Sequence, residues 1–160
     1  MAGKANIATL QFLTGRIKEI EKALEAEAKL RDEYKCILTA PGIGKILALT
    51  IMLETGDISR FQKAGNYVSY CRCVGSNRIS NGKNKGEGNR KNGNKYLSWA
   101  YVEAVNAAKR DYSYVRRYYQ KKSAKTNNVI AIKAISHKLA RACYYMIKNQ
   151  DVFNPKKAFG

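Results

Sequence analysis

The sequence predicts an all-α protein, for three reasons. Apolar residues recur at intervals of three or four near the N-terminus, after residue 94 and after residue 128, which is the spacing of one face of an α-helix. No segment shows the alternation of apolar and polar residues that marks a half-buried strand. The chain has 160 residues, 45% of them hydrophobic, which is enough for one core. We therefore predict an N-terminal coiled-coil-like helix followed by a compact helical domain, which contains a helix-hairpin-helix element and a long loop of glycine, asparagine and basic residues.

Residues 1–33 are predicted to form an amphipathic helix that dimerises. The helix itself is expected over about residues 5–32, where Glu, Lys and Ala are frequent. Balanced charge around its apolar stripe would suit a coiled-coil partner, so we expect a homodimer or a larger assembly. The alternative is a helix that packs on its own domain. The apolar residues that alternate in steps of three and four, as in a heptad repeat, are Leu10, Leu13, Ile17, Ile20 and Leu24.

Residues 34–150 are predicted to form the helical domain, and it opens with two short helices within 36–61. A Pro-Gly-Ile-Gly motif joins them, and we interpret the pair as a helix-hairpin-helix element. Gly42 and Gly44 would let the backbone approach a phosphate, the next helix would offer free N–H groups, and Lys45 would add positive charge. The alternative is an ordinary tight turn. The spacing fits neither a Walker A loop nor a dinucleotide fingerprint.

Residues 72–95 differ in composition from the rest of the chain and are predicted to form a long basic loop. They include five glycines, six asparagines and seven basic residues, against one acid, Glu87. Such a segment cannot form a core of its own, and long loops inside compact domains commonly carry function.

Three helices are predicted after the loop, followed by a tail. The first has Asn94 as its N-cap, the second covers the aromatic and basic run at 112–122, and the third begins near Thr126 or Asn127. Residues 151–160 are expected to be the tail.

The distribution of charge indicates a polyanionic partner. Residues 1–57 contain eight basic and eight acidic residues, so the net charge of +18 lies entirely in residues 58–160. So large a surplus repels itself in a folded domain, and nucleic acid is the partner that would compensate it. A membrane surface is less favoured, because no segment has a broad exposed apolar face. No apolar run approaches the roughly 20 residues of a bilayer span, and the N-terminus lacks the apolar core of a signal peptide.

The basic loop supplies most of the candidate contacts to phosphate. It also contains Ser80 and Ser76, and a serine among cations suits attack on a phosphodiester, because negative charge develops on the attacking oxygen and on the phosphate. The alternative is that both are ordinary loop residues. The loop residues predicted to bind nucleic acid are Arg72, Arg78, Lys83, Lys85, Arg90, Lys91 and Lys95.

Metal and cofactor sites are not predicted within this chain. Two-metal nucleases need several converging carboxylates, whereas the basic part has four widely spaced acids. Cys71 and Cys73 lack the further ligands of a zinc site, and the thiols are expected to be reduced. The only histidine, His137, is expected to be a surface or partly packed residue. The eleven tyrosines could stack on bases, although such residues more often border a core.

Four motifs in a fixed order resemble a known family. They are the Leu-Thr-Ala-Pro-Gly-Ile-Gly run at 38–44, Asp-Ile-Ser-Arg-Phe at 57–61, Ser-Asn-Gly-Lys at 80–83 and Lys-Asn-Gly-Asn-Lys-Tyr-Leu at 91–97, and a final helix at 131–146 follows. The order is similar to that of the C-terminal transposase domain of the IS110 (insertion sequence 110) family of DNA transposases and recombinases, which includes the Piv-type invertases. The resemblance covers about residues 34–149.

The resemblance implies that two domains share the catalytic residues. In this family a RuvC-like domain with four metal-binding acids, and hence Mg²⁺, precedes a coiled coil and the present domain, and many members use a structured bridge RNA as guide. The domain's serine, which forms a covalent link to DNA, falls on Ser80. Three departures stand out: Asn81 occupies a place where many relatives have serine, Cys73 and Ser76 replace the usual Gly and Pro, and the RuvC-like domain is missing. We therefore expect the chain to be either an excised fragment or a truncated or repurposed copy.

Two hypotheses about function follow from the sequence, one for an enzyme domain and one for a binding module. The first is the serine-bearing, DNA-binding domain of a transposase in the cytoplasm of a prokaryote, associated with the nucleoid, with a guide RNA as a candidate partner. The alternative is a non-catalytic module that binds DNA or RNA. A third and weaker hypothesis is an assembly domain whose first helix is the functional part.

Overall fold

The computed structural model describes residues 2–29, 31–75, 77–87 and 92–160, and these residues confirm the all-α prediction. They form eight α-helices, one short 3-10 helix and a single antiparallel pair of strands. The α-helices are α1 (Ala2–Ala28), α2 (Asp32–Leu38), α3 (Lys45–Thr55), α4 (Ala64–Tyr70), α5 (Lys95–Asp111), α6 (Ser113–Lys125), α7 (Asn128–Asn149) and α8 (Pro155–Phe159), the 3-10 helix is Ile58–Arg60, and the strands are β1 (Asn77–Ser80) and β2 (Lys83–Glu87). None of the described helices is long and apolar enough to cross a membrane.

Helices α5 and α7 form the centre of the core. Helix α5 packs against α3, α6 and α7, and α7 also packs against α2, α4 and α6. Alanines on the buried face of α5, namely Ala100, Ala104 and Ala108, let neighbouring backbones come close. Helix α3 runs antiparallel to α5, because the turn before α3 contacts Ala104 while Glu54, at the end of α3, binds Asn94 at the start of α5.

A buried chain of hydroxyl groups links α3, α4 and α5. The Tyr67 hydroxyl lies 2.9 Å from Thr55 Oγ1 and 2.8 Å from the Tyr101 hydroxyl, and all three residues are buried. Burial is the main cause that raises the pKa of both tyrosines well above the usual value. The hydroxyls therefore stay protonated and satisfy one another inside the core.

Local signals in the sequence place the ends of the later helices correctly. Asn94 Oδ1 accepts the N–H groups of Tyr96 and Leu97, and Asn127 Oδ1 accepts that of Ile130, so both predicted caps are present. The tail differs from the prediction. Residues 155–159 form α8, and the ring of Phe159 packs against Tyr114 and Tyr118 of α6 with centroids 5.6 Å apart.

The predicted N-terminal helix is present as α1, and most of it is exposed. Its last residues contact α3, where Glu25 Oε1 lies 2.7 Å from Lys45 Nζ and Ala28 is buried. The large apolar residues from Ile7 to Ile20 remain half or more exposed, with Ile17 at 54% and Ile20 at 57%. Helix α1 is therefore anchored at one end, and its heptad face has no partner among the described residues.

The four cysteines are free and buried, which gives a prediction for their reactivity. Burial raises the pKa of the Cys73 and Cys143 thiols to about 12, so their thiolate fraction at mildly alkaline pH is roughly 1,000-fold below that of an ordinary thiol. We expect a disulfide reagent to label Cys73 and Cys143 in the folded chain at least that much more slowly than in guanidinium chloride. Fast labelling of either residue in the folded chain would contradict its burial.

Candidate nucleic-acid interface and nucleophile

A β-hairpin occupies the middle of the segment that was predicted to be a loop, and this part of the prediction was wrong. Strands β1 and β2 pair antiparallel through a two-residue Asn-Gly turn. Asn81 and Gly82 both have positive φ, 54° and 72°, which gives a type I′ turn matched to the twist of paired strands. The register shifts by one residue toward the open end, where Gly86 has a φ of 103°. The hairpin pairs mainly with itself and projects from the helices.

Ser80 is the last residue of β1 and lies directly before the turn. Its cross-strand neighbour is Lys83, and such pairs place their Cβ atoms about 5 Å apart. Both residues are exposed, and Ile79 beside them is 70% exposed. The Ser80 hydroxyl makes no side-chain hydrogen bond to the residues that the structure describes. Ser80 is thus presented outward with a cation beside it, so an approaching phosphodiester would be accessible to its oxygen.

The base of the hairpin is closed by contacts between its two ends. Arg72 Nε and an Nη atom donate to the Gly93 carbonyl at 3.1 and 2.8 Å. Gly93 has a φ of 93°, and a Cβ at this position would lie 2.5 Å from the Tyr70 carbonyl oxygen. Arg72 was predicted to bind phosphate, and in the structure its guanidinium binds the Gly93 carbonyl. Its binding to nucleic acid stays a prediction.

A polar cluster joins the hairpin base to α3. Asn94 Nδ2 donates to Glu54 Oε2 at 2.6 Å and lies 3.4 Å from the Tyr70 hydroxyl. Hydrogen bonds from Asn94 and then Arg60 lower the pKa of Tyr70. The Arg60 guanidinium lies 4.5 Å from the centroid of the Phe61 ring and 4.7 Å from that of Tyr70. The sequence analysis found the Asn94 cap but missed Arg60 and Glu54, because only the fold brings them beside the loop ends.

The second predicted site, the Pro-Gly-Ile-Gly turn, lies between α2 and α3. Gly42 has a φ of 75°, and a Cβ there would lie 2.7 Å from the Ala108 nitrogen and still closer to the Ala104 carbonyl oxygen. This close packing on α5 explains the glycine without any ligand. Gly44 is the exposed N-cap residue of α3, with open space around it. Lys45 forms the ion pair with Glu25, which raises the pKa of the lysine.

The two predicted sites contact different parts of α5. The hairpin enters this helix at Lys95, whereas the turn contacts it at Ala104 and Ala108. Nine residues of α-helix span about 14 Å, so a small ligand could not touch both, while a nucleic acid could. On the hairpin side the structure brings together Ser80 and Lys83, with Lys85 exposed on β2 and Lys95 exposed at the start of α5.

Several predicted residues cannot be placed. Ser76, Arg90 and Lys91 lie outside the described residues, and only the backbone of Arg78 is described, as part of β1. Among the described residues no group of three or more His, Cys, Asp or Glu side chains is arranged to hold a metal ion. The candidate nucleophile therefore has no metal ligands around it in the part of the chain that is described.

Comparison with known families identifies the chain. Residues 34–120 match the model of the IS116/IS110/IS902 transposase family. The chain belongs to this transposase family. The matched residues run from α2 into α6 and include Ser80 and the hairpin, so the resemblance deduced from the motifs is confirmed there. Membership indicates a general role in DNA transposition or recombination, and therefore an interaction with DNA. A comparison with curated proteins gave no match.

Gly42 offers a direct test of how the turn is used in this transposase domain. Replacing Gly42 by alanine is expected to lower the free energy of unfolding by about 4 kcal/mol, because a left-handed residue and a clash with the α5 backbone combine. Gly44→Ala, where nothing lies within 4 Å of the added Cβ, should cost less than about 1 kcal/mol. Denaturant unfolding of both variants gives the comparison. Similar losses for the two would mean that packing does not require Gly42.

Proposed function

We propose that this chain is the part of a DNA transposase that binds DNA and supplies the serine nucleophile, and that Ser80 is that serine. The observation that carries the proposal is the position of Ser80 at the tip of a projecting hairpin, opposite Lys83 and within the matched part of the chain. A serine buried in the helical core could not reach a phosphodiester. The hairpin instead offers its hydroxyl to a ligand as wide as a duplex.

The proposed step is an exchange of bonds at phosphorus. Ser80 Oγ attacks a phosphodiester, the Oγ–P bond forms, and the bond from phosphorus to one deoxyribose oxygen breaks. That oxygen leaves and takes up a proton, while the serine's proton passes to a base. Lys83 and Lys85 would stabilise the negative charge on the pentacovalent phosphate. Because one phosphate ester replaces another, the link can be reversed to join a new strand.

The base that accepts the proton of Ser80, and any metal ion, are expected to come from another domain. The described residues hold no cluster of acidic side chains suited to Mg²⁺, so this part of the chain does not fit that role. We propose that a RuvC-like domain, in the same polypeptide or in trans, contributes metal-binding acids. A structured guide RNA remains a candidate partner, for which the basic surface of residues 58–160 provides the charge. The proposed site of action is the nucleoid of a prokaryotic cell.

Trapping the covalent intermediate tests the proposal. The transposase is incubated with DNA, the reaction is stopped with denaturant, and the adduct is digested and sequenced by mass spectrometry. We expect the nucleotide on Ser80. A nucleotide on another residue would reject Ser80 as the nucleophile. Salt-dependent binding without any adduct would favour the second candidate, a non-catalytic nucleic-acid-binding module, which the net charge of +18 supports equally well.

We also propose that α1 pairs with α1 of a second copy. Its heptad face is exposed, and its four basic and four acidic residues cancel, so two copies would not repel each other. Only the end of α1 packs on the domain, and an isolated helix is marginal in water. A partner helix would stabilise the exposed part.

A further inference from the structure

Helix α7 carries a ridge of three residues that two surface cavities share. His137, Arg141 and Tyr145 are spaced four apart, so they lie on one face of the helix. A cavity of about 630 Å³ lies between this ridge and residues 149–158, and one of about 400 Å³ lies between the ridge and the start of α4. Both sizes are within the range of ligand sites. We call the two cavities together the α7 groove.

The α7 groove is cationic. Arg141 borders both cavities. Lys157 lines the larger cavity, and Lys63 and Lys148 line the smaller one. Among the described residues that line the groove, Asp151 has the one carboxylate, and neither Lys138 nor any of these four cations forms a salt bridge with a described residue. These charges are therefore available to an anionic ligand.

The charge of the groove acts on its own histidine. Burial, followed by the charges of Arg141 and Lys138, lowers the pKa of His137. Lys138 lines the larger cavity too, but its Nζ is engaged there, since it donates to the Ala158 carbonyl at 2.8 Å and lies over the Tyr118 ring. His137, which lines both cavities, therefore lies in a positive field, and such a field favours an anion at this point.

An exposed aromatic ring lies beside the cations. Tyr145 is 45% exposed, and its ring packs edge to face on Tyr144, with centroids 5.2 Å apart and an angle of 82°. Tyr144 is itself fixed, because its hydroxyl donates to the Phe61 carbonyl at 2.9 Å. A ring held in place next to positive charge is the arrangement with which proteins stack the bases of single strands.

We propose that the α7 groove binds a single strand of nucleic acid, with Arg141, Lys157 and Lys63 on phosphates and Tyr145 on a base. A base in a duplex is stacked and paired, so a stacking contact in a concave groove favours an unpaired strand. The groove contains no residue of the hairpin, and its occupant is held without being cleaved. The inference does not depend on Ser80 as nucleophile.

The single histidine of the chain makes occupancy of the groove directly visible. In the chain labelled at histidine, an NMR spectrum has one imidazole signal, from His137. We add a short oligonucleotide of one sequence, first as DNA and then as RNA, and follow binding in parallel by fluorescence anisotropy. We expect the signal to move as binding saturates. The oligonucleotide that shifts the His137 signal at the lower concentration, DNA or RNA, identifies the occupant of the groove.

Two sets of variants test the contacts. Arg141→Gln combined with Lys157→Gln should lower the slope of log affinity against log salt by about 1.4, since each phosphate contact to a single strand contributes about 0.7. Lys18→Gln combined with Lys22→Gln removes the same charge from exposed positions of α1 and should leave the slope unchanged. Tyr145→Ala should weaken binding roughly tenfold, whereas Tyr145→Phe keeps the ring and should not.

Clear results would overturn the proposal. One is a His137 signal that stays in place while anisotropy shows the chain to be saturated. Another is an equal change in slope for the groove pair and the α1 pair, which would mean that only net charge matters. Because none of these readouts uses strand cleavage, they are independent of the covalent adduct on Ser80.

Discussion

Replacing Ser80 by alanine is expected to lower the rate of strand exchange by roughly 10⁴-fold or more, since removal of an enzyme's nucleophile has effects of this size or larger. DNA affinity should not change, because the hydroxyl makes no hydrogen bond to described residues and the cations remain. The Asn-Gly turn does not involve the Ser80 side chain, so the hairpin should also persist. The measurements are rates of strand exchange and denaturing gels of the adduct, with a RuvC-like domain in the same polypeptide or added in trans.

Ser76→Ala is the matched control, because Ser76 is the other serine of the basic segment. It should exchange strands at the rate of the unchanged protein. Equal losses in both variants would point to a general effect on the segment. An adduct that survives both substitutions would locate the nucleophile elsewhere and leave a binding module. Loss of DNA affinity with Ser80→Ala would contradict the assignment too, because a nucleophile exposed at a turn should contribute little to binding.

Features that depend on neighbouring residues could be predicted from the sequence. Asn94 and Asn127 each cap a helix with a side-chain oxygen that reaches N–H groups two or three residues later, and such signals are local. The overall class could be predicted for a similar reason, because the long helices carry a regular apolar face. The family was accessible through the order of motifs rather than through any physical pattern.

The hairpin could have been anticipated only in part. Its Asn-Gly turn is a strong hairpin signal, but the strands around it are polar and do not pack on the core. Alternation of apolar and polar residues arises when one face of a strand is buried, so it was missing here. The consequence is functional: a hairpin that pairs mainly with itself is free to place Ser80 against a ligand.

Other parts of the site could not be predicted, because distant residues decide them. Gly42 was expected to approach a phosphate and instead approaches the backbone of α5. Lys45 was expected to add positive charge beside a phosphate and pairs with Glu25, twenty residues earlier. Arg72 closes the hairpin base through Gly93. In each case the residue type was noticed correctly, but its partner was set by packing between elements that are far apart in sequence.

Substituting lysine for Leu13 and Ile20 together is expected to dissociate the proposed dimer by weakening it about 10⁴-fold. Two buried apolar side chains on each helix, at about 1.5 kcal/mol or more each, amount to about 6 kcal/mol in the pair. A parallel arrangement is favoured because Arg16 and Glu21 occupy the g and e positions that pair across such a coiled coil. Sedimentation equilibrium of the chain measures the change.

Lys18→Ala combined with Lys22→Ala provides the control, because both lysines lie on the outer face of the same helix, away from the heptad stripe. This variant should remain dimeric. The apolar variant should become monomeric and also lose part of its helical circular dichroism, since α1 packs on the domain only near Glu25 and Ala28 and a helix without partners frays. A monomeric unchanged protein would reject the dimer. A dimer that survives the two lysines would place the interface on another surface, and α1 would then be exposed for a different partner.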